Sequence, residues 1–487
     1  MATPSLYPCH KLGDTFSQSR RQWLHHMGYG MGGAALASLV GGSSGTMAPR
    51  PVLPHLAPKA KRVICLFMSG GFSQLESFDH KPLLQERHGG QLPPSVFKGR
   101  KPLGMSKFQN NFRLQGSTFP FLQHGRSGAW VSDRFPHIAS QADRICFVKG
   151  MVSDAVNHDP AIIFMNSGHQ LPGRPVMGAW MSYGLGSENE NLPAYIVLVT
   201  KKPADQPLST RLWDSGFLPS QHQGVPFRPG KDAVLFLNNP KGISPQLHRR
   251  MLDSLAEVQQ DELARRGEAE IEARIQQYEM AFRMQTSVPD VVSIANEPAY
   301  LLEKYGPDVR TPGTYAHHCL LARRLCESGV RFVQLFHPGW DHHEMLLPGF
   351  TGCSKEVDQP TAALLADLQE RGLMEDTVVM FVTEFGRTCY SQGAAAKPAE
   401  KYGREHHRNA FTGWLAWAGV KPGITYGETD EFGFDVVSGK TTVNDFHATL
   451  LHLLGIQHDR FTYRFQGRDY RLTDVAGEVI KPILSGA

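Results

Sequence analysis

Gly339-Trp340-Asp341-His342-His343 puts a carboxylate and two imidazoles in consecutive positions, a donor set suited to a borderline divalent ion. Thr383-Glu384-Phe385-Gly386-Arg387-Thr388 offers a second acid and, in Arg387, a guanidinium fork that fits a tetrahedral oxyanion. The same two residues could equally form a structural Arg–Glu pair. Gly403-Arg404-Glu405-His406-His407 adds one or two imidazoles in a glycine- and charge-rich stretch. Asn157-His158-Asp159-Pro160 precedes an apolar run, and a proline early in a helix behind polar residues marks a helix N-terminus. Such an end favours an anion, or a nucleophile whose attack creates one. Each cluster alone also reads as a polar loop with chance histidines. Together, in chain order, they point to a metal centre that handles an anion.

The elements needed to position these residues are legible as apolar runs. Residues 61–68 form one, broken by Ser69-Gly70-Gly71, as expected of a buried parallel strand and the loop at its C-terminal end. Ligands bind at such loops in open α/β sheets. Residues 145–149, 195–200, 330–336 and 377–383 are further candidate strands, and the last two run directly into the Asp341 and Glu384 clusters. Residues 361–371 have helical periodicity. Strands alternating with helices imply a mostly parallel sheet covered on both faces. Residues 244–286 are charged and helical (Leu252, Leu255, Val258, Leu263, Ile271, Ile275) and read as a helical insertion or hairpin with a solvated charged face. Residues 443–455 read as a helix with a glycine stop.

The N-terminus reads as an address. Arg20-Arg21 stands before a weakly apolar, glycine-rich run at 27–42, the pattern of a twin-arginine export signal. That run is too short and glycine-rich for a membrane span, and no later segment reaches spanning length. The expected organisation is a signal region at 1–48, a proline-rich linker at 49–60, and one α/β domain at 61–487 with the insertion at about 244–286. The chain has 487 residues, 41% hydrophobic and 20% charged, which suits a globular protein. A net charge of +4 without a dense basic tract gives no support for nucleic-acid binding. None of the seven cysteines forms a close zinc-type pair, and a protein folded before export would keep mostly free thiols.

With these residues in hand, the chain resembles a family of exported bacterial proteins, domain-of-unknown-function family 1501. The matching stretches run from Leu66-Phe67-Met68-Ser69-Gly70-Gly71 and Phe78-Asp79-His80-Lys81-Pro82 through Met165-Asn166-Ser167-Gly168 and residues 213–219. They continue at Gly339-Trp340-Asp341, Glu384-Phe385-Gly386-Arg387-Thr388, residues 445–455, Gln466-Gly467-Arg468 and Arg471-Leu472-Thr473-Asp474. That family looks like a branch of the alkaline phosphatase and sulfatase superfamily. The resemblance implies a three-layer α/β/α sandwich and metal-dependent hydrolysis or transfer of phosphate or sulfate esters.

Carried over by position, the resemblance is uneven. Asp341, His343 (or His342) and His406 look like one intact metal site. Glu384-Phe385-Gly386 resembles the superfamily's Asp-His-Gly, with the acid kept and the histidine lost. The first-strand aspartate would fall at Ser69 or Gly70 and is missing, so Glu76 or Asp79 would have to compensate. His158 stands where the hydroxyl nucleophile would be, which leaves it as nucleophile, base or ligand. No formylglycine motif stands there. The resulting expectation is a hydrolase with Asp341, His343, Glu384 and His406 as ligands, and His158 and Arg387 at the oxyanion. His342, His407, Glu76, Asp79 and Asn157 are further candidate ligands. Zinc leads among divalent ions because imidazoles outnumber hard oxygens, with manganese or calcium as alternatives. The partners implied are a small-molecule or glycan ester and the twin-arginine translocase, and the location is the periplasm or cell surface. The competing expectation is a degenerate member that binds anionic glycans without turning them over.

Overall fold

The computed structural model describes residues 53–202, 206–230, 233–235, 237–393 and 401–486; the arginine pair Arg20-Arg21 and the run behind it lie outside the described residues. The strands that matter are β1 (Arg62–Met68), β2 (Ile145–Val152), β3 (Tyr195–Val199), β4 (Val225–Phe227), β5 (Phe332–His337), β6 (Thr377–Val382), β7 (Gly386–Ser391), β8 (Arg404–His407), β9 (Phe411–Ala416), β10 (Ile424–Tyr426) and β11 (Thr441–Thr442). Nine of them form one sheet in the order β10-β2-β9-β6-β1-β5-β3-β4, with β11 also paired to β2. Only β9 runs against its neighbours; every other pairing in that sheet is parallel. β7 and β8 form a separate antiparallel pair.

The main helices are α1 (His158–Ser167), α2 (Met177–Leu185), α3 (Pro245–Arg266), α4 (Ala269–Val292), α5 (Tyr315–Glu327), α6 (Leu346–Glu370) and α7 (Val443–Leu453). Strand alternation sends Ile64, Leu66 and Met68 of β1 into one core with α5 and α6. Val63, Cys65 and Phe67 enter a second core with α1, α2 and α7. Helices therefore cover both faces of the mostly parallel sheet, giving three layers, and this is why its central strands are apolar without alternation.

The charged segment is a hairpin. Ser244 caps α3 by accepting from the Leu247 N–H, Pro245 opens it, and Gly267 at φ 66° ends it. An Arg249–Glu279 ion pair ties α3 to α4, which runs on to Val292, beyond the expected limit. The helix expected at 361–371 is the last part of the 25-residue α6. Pro348 and Pro360 hid its start, although a proline in the first turn costs no hydrogen bond. Among the described residues no helix is long and apolar enough to cross a membrane. The six described cysteines are buried and unpaired.

Parallel pairing sets Met68 opposite His337 and Phe67 opposite Val382, so three loops leave the same edge of the sheet side by side. Phe72 anchors them. Its ring packs on Trp340 at 4.8 Å and Phe381 at 5.2 Å, and its N–H donates to Thr383 Oγ1. Replacing this fully buried ring, Phe72→Ala, should lower unfolding free energy by about 3–5 kcal/mol in denaturant titration.

Candidate metal centre

Close backbone approach comes first. Gly70, at φ 122°, lies where a Cβ would sit 2.7 Å from the Asp341 N, and Gly403 lies where one would sit 2.0 Å from the His343 carbonyl carbon. Only glycine lets the first-strand loop and the β8 strand press against the Asp341–His343 loop from both sides. The Arg404 N–H donates to His342 O and the Leu346 N–H to Tyr402 O, which fixes that contact.

The result is convergence. One donor atom from each of His158, Asp341, His343 and His406 lies within 4.8 Å of the others. Asp341 Oδ1 is 3.0 Å from His343 Nε2 and 3.2 Å from His406 Nε2, and Asp341 Oδ2 is 3.1 Å from His158 Nε2. His158 Nε2 is buried and makes no hydrogen bond despite that proximity. His158 is the first residue of α1, and His406 comes from β8, where a bulge sets it opposite Arg387.

Each imidazole is held from behind by its other nitrogen. His158 Nδ1 bonds Glu384 Oε1 at 2.7 Å, His406 Nδ1 bonds Val156 O at 2.8 Å, and His343 Nδ1 bonds Gln392 Oε1. An acceptor at Nδ1 keeps the proton there and frees Nε2 as a lone-pair donor, the usual arrangement behind metal-bound histidines. Three nitrogens and one carboxylate oxygen match a zinc-type donor set. The Asp341 and His343 side chains are 21% and 28% exposed, against 15% for His158 and 10% for His406, so the cluster opens to solvent on the Asp341–His343 side.

Charge also fits a divalent ion. Asp341, Glu384 and the buried Glu405 set three carboxylates against the one guanidinium of Arg387. Glu405 Oε1 lies 3.9 Å from both His343 Nδ1 and His406 Nδ1, while its Oε2 is buried without a hydrogen-bond partner. Burial works against the Asp341 and Glu384 anions. Contacts with His158, His343, His406 and Arg387 outweigh it for Asp341, and those with His158 and backbone N–H groups outweigh it for Glu384, so both stay below the usual carboxylate range. Burial also opposes a charge on His158, but Asp341 and Glu384 prevail and push it up to about 9. Burial pushes His406 down to about 4.

Several expected roles need correction. Glu384 does not join the converging atoms. Its buried carboxylate is engaged by the Gly70 N–H, Thr383 Oγ1 and His158 Nδ1, so it orients His158. His158 takes the fourth place instead. Arg387 is not free for an oxyanion, because its guanidinium donates to Gly71 O, Gly70 O, Arg404 O and Asp341 Oδ1, and only 1% of the side chain is exposed.

The further candidate ligands fall elsewhere. His342 turns away against Gly349 and Phe350. His407 projects to the opposite face of β8 from His406 and bonds Phe434 O. Glu76 is locked in a fully buried ion pair with Arg404 at 2.6 Å. Asp79 pairs with Thr429 and Lys81. Asn157 is the exposed N-cap residue of α1 and makes no side-chain cap. Gln392, Glu405 and the Val156 carbonyl were not among the expected site groups. Nothing in their residue types marks them, since they act through position behind a histidine.

A family model described as "Protein of unknown function (DUF1501)" matches residues 60–484. The chain belongs to this family. No curated protein matches it. Among solved structures, this family member is similar to a protein in the alkaline phosphatase superfamily from Vibrio parahaemolyticus, at 10% identity and TM-score 0.34, covering 88% of this chain and 77% of that one. It is also similar to a phosphonate monoester hydrolase from Silicibacter pomeroyi (13%, TM-score 0.32, 72% of each chain). A third likeness is to the PsFucS1 sulfatase from Pseudoalteromonas sp. (11%, TM-score 0.33, 82% and 68%).

Two outcomes follow from this geometry. Glu384→Ala removes the acceptor behind His158 and should weaken metal binding about 10- to 100-fold in a chelator competition titration. The metal-free state carries a proton on His158 below about pH 9, and that proton must leave for Nε2 to bind a metal. Metal affinity should therefore rise with pH, by about tenfold per unit from this group alone, and level off above about 9. Titrations between neutral and alkaline pH check this.

Proposed function

We propose that this protein is an exported, metal-dependent hydrolase of phosphate or sulfate esters, with His158, Asp341, His343 and His406 holding one divalent ion, zinc first among the candidates. The observation that carries this reading is the set of three imidazoles, each fixed at Nδ1, whose Nε2 atoms gather around Asp341. The sequence resemblance to the phosphatase and sulfatase superfamily points the same way, and Arg20-Arg21 supports export through the twin-arginine route.

A divalent ion held there supplies Lewis acidity toward an ester oxygen and lowers the pKa of a water. The chain's own groups do the rest. Glu384 holds the His158 proton at Nδ1, so His158 serves as a ligand and its Nε2 is not spare for a covalent step. Arg387 and the Gly70 N–H fix Asp341 and Glu384 in place. The exposed Asp341–His343 side is where an ester enters.

The test is metal analysis of protein purified without added metal, together with a screen of phosphate and sulfate esters. Wild type should contain about one equivalent of divalent metal and turn over at least one ester class. His158→Ala should lose both metal and hydrolysis. Folded, full-length protein that contains no metal, or a His158→Ala variant that hydrolyses as well as wild type, would sink the reading.

A further inference from the structure

The charged hairpin carries a face that water does not suit. Its second helix, α4, is the anchor: Met284, Val288 and Val291 enter the core beside α5. α3 leans on α4 through Arg249, which pairs with Glu279 and lies over the Phe282 ring. The His248 ring packs edge-on against the same phenyl group. Yet Leu252 is the one buried side chain among the 22 residues of α3. A helix in a protein draws most of its stability from the apolar face that it buries, so α3 on its own is under-packed.

The missing contact is visible on its open side. Leu247, Met251, Leu255 and Val258 are 37%, 51%, 37% and 64% exposed. Steps of four, four and three residues bring all four onto one stripe along the helix, and Leu252 lies on a different face.

The flank of that stripe says what fits it. Arg250 and Glu257 stand seven residues apart, so they border the stripe on the same side. Both are exposed and have no ion-pair partner among the described residues. A second α3 laid antiparallel across a two-fold axis brings Arg250 of each copy beside Glu257 of the other. The same placement sets Leu247 against Val258, with Met251 near the middle, and opposes the two helix dipoles. A parallel copy would put the flanks on opposite sides of the contact and leave both charges unpaired. The surface is therefore complementary to itself.

We propose that α3 is a self-association surface, on which two copies of this protein pair antiparallel through Leu247, Met251, Leu255 and Val258, fastened by two reciprocal Arg250–Glu257 ion pairs. This pairing is independent of the chemistry at the metal centre. One helix pair buries less than a standard protein interface, so the expected dissociation constant is about 1–10 μM.

The experiment is sedimentation equilibrium of the full-length protein from below about 1 μM to about 100 μM, a range that spans that constant. Wild type should pass from monomer to dimer. Met251→Glu with Val258→Glu should weaken the dimer about tenfold or more, with helix content unchanged by circular dichroism. Arg250→Glu and Glu257→Arg should each weaken it about fivefold, because each places like charges together twice. The double variant Arg250→Glu, Glu257→Arg restores both pairs and should return affinity to within about twofold of wild type. Wild type that stays monomeric throughout would overturn the proposal. So would a dimer that keeps its affinity after the Met251 and Val258 changes, or a charge-swapped double variant no tighter than its parents. Monomeric wild type that sediments with phosphatidylglycerol vesicles would put a membrane surface on the stripe instead, and would equally overturn it.

Discussion

Asp341 carries a largely buried negative charge around which one guanidinium and three imidazoles crowd. Arg387 Nη2 sits 2.5 Å from Oδ1, two imidazoles face the same oxygen, and a third faces Oδ2. A carboxylate taken out of water costs several kcal/mol unless it is paired, so the loops around it must bring cations or lone-pair groups to it. That demand organises the edge of the sheet. Arg387 answers it while fastening the Gly70–Gly71 turn and the β8 strand through their carbonyls. The imidazoles answer only partly, because neutral rings crowded around one carboxylate leave the lone pairs of Nε2 and Oδ facing each other. A cation at their common focus resolves that conflict, as a proton on His158 does in its absence.

The surrounding packing shows how tightly the arrangement is set. Two glycines allow backbones to approach where any Cβ would collide, and the Phe72–Trp340 contact holds the Asp341 loop against the sheet. The Glu76–Arg404 pair is buried below. Its energy goes into keeping β8 in register under His406, and replacing only one of its members would strand a charge.

Much of this was legible in the sequence because burial on both faces leaves a plain signal. β1 and β6 are largely apolar runs and β5 is broken only by Gln334 before His337, and the Asp341 and Glu384 loops follow the last two. The charged hairpin and α7 were readable from their periodicity and their end signals. What was hidden depended on parity and distance. Whether His406 or His407 faces the centre follows from their lying on a strand, and the residues around them look like a loop. His342 and His343 differ only in which way a tight turn points them. Glu384 and Arg387 have the residue types of a ligand and an anion clamp. Their actual partners, His158 for Glu384, and Asp341 with the carbonyls of Gly70, Gly71, Trp340 and Arg404 for Arg387, are not sequence neighbours and leave no local trace. β9 escaped notice because nothing in a short apolar run announces that it runs against its neighbours.

The four gathered side chains come from the start of α1, the loop after β5 and the β7–β8 pair, stretches far apart in the chain. No fragment of the polypeptide contains the set, and strand pairings between distant segments form slowly. The focus of these side chains therefore exists only once the central sheet and its edge loops have assembled. An ion held there would report a finished fold, and would favour that state over any partly assembled one by mass action.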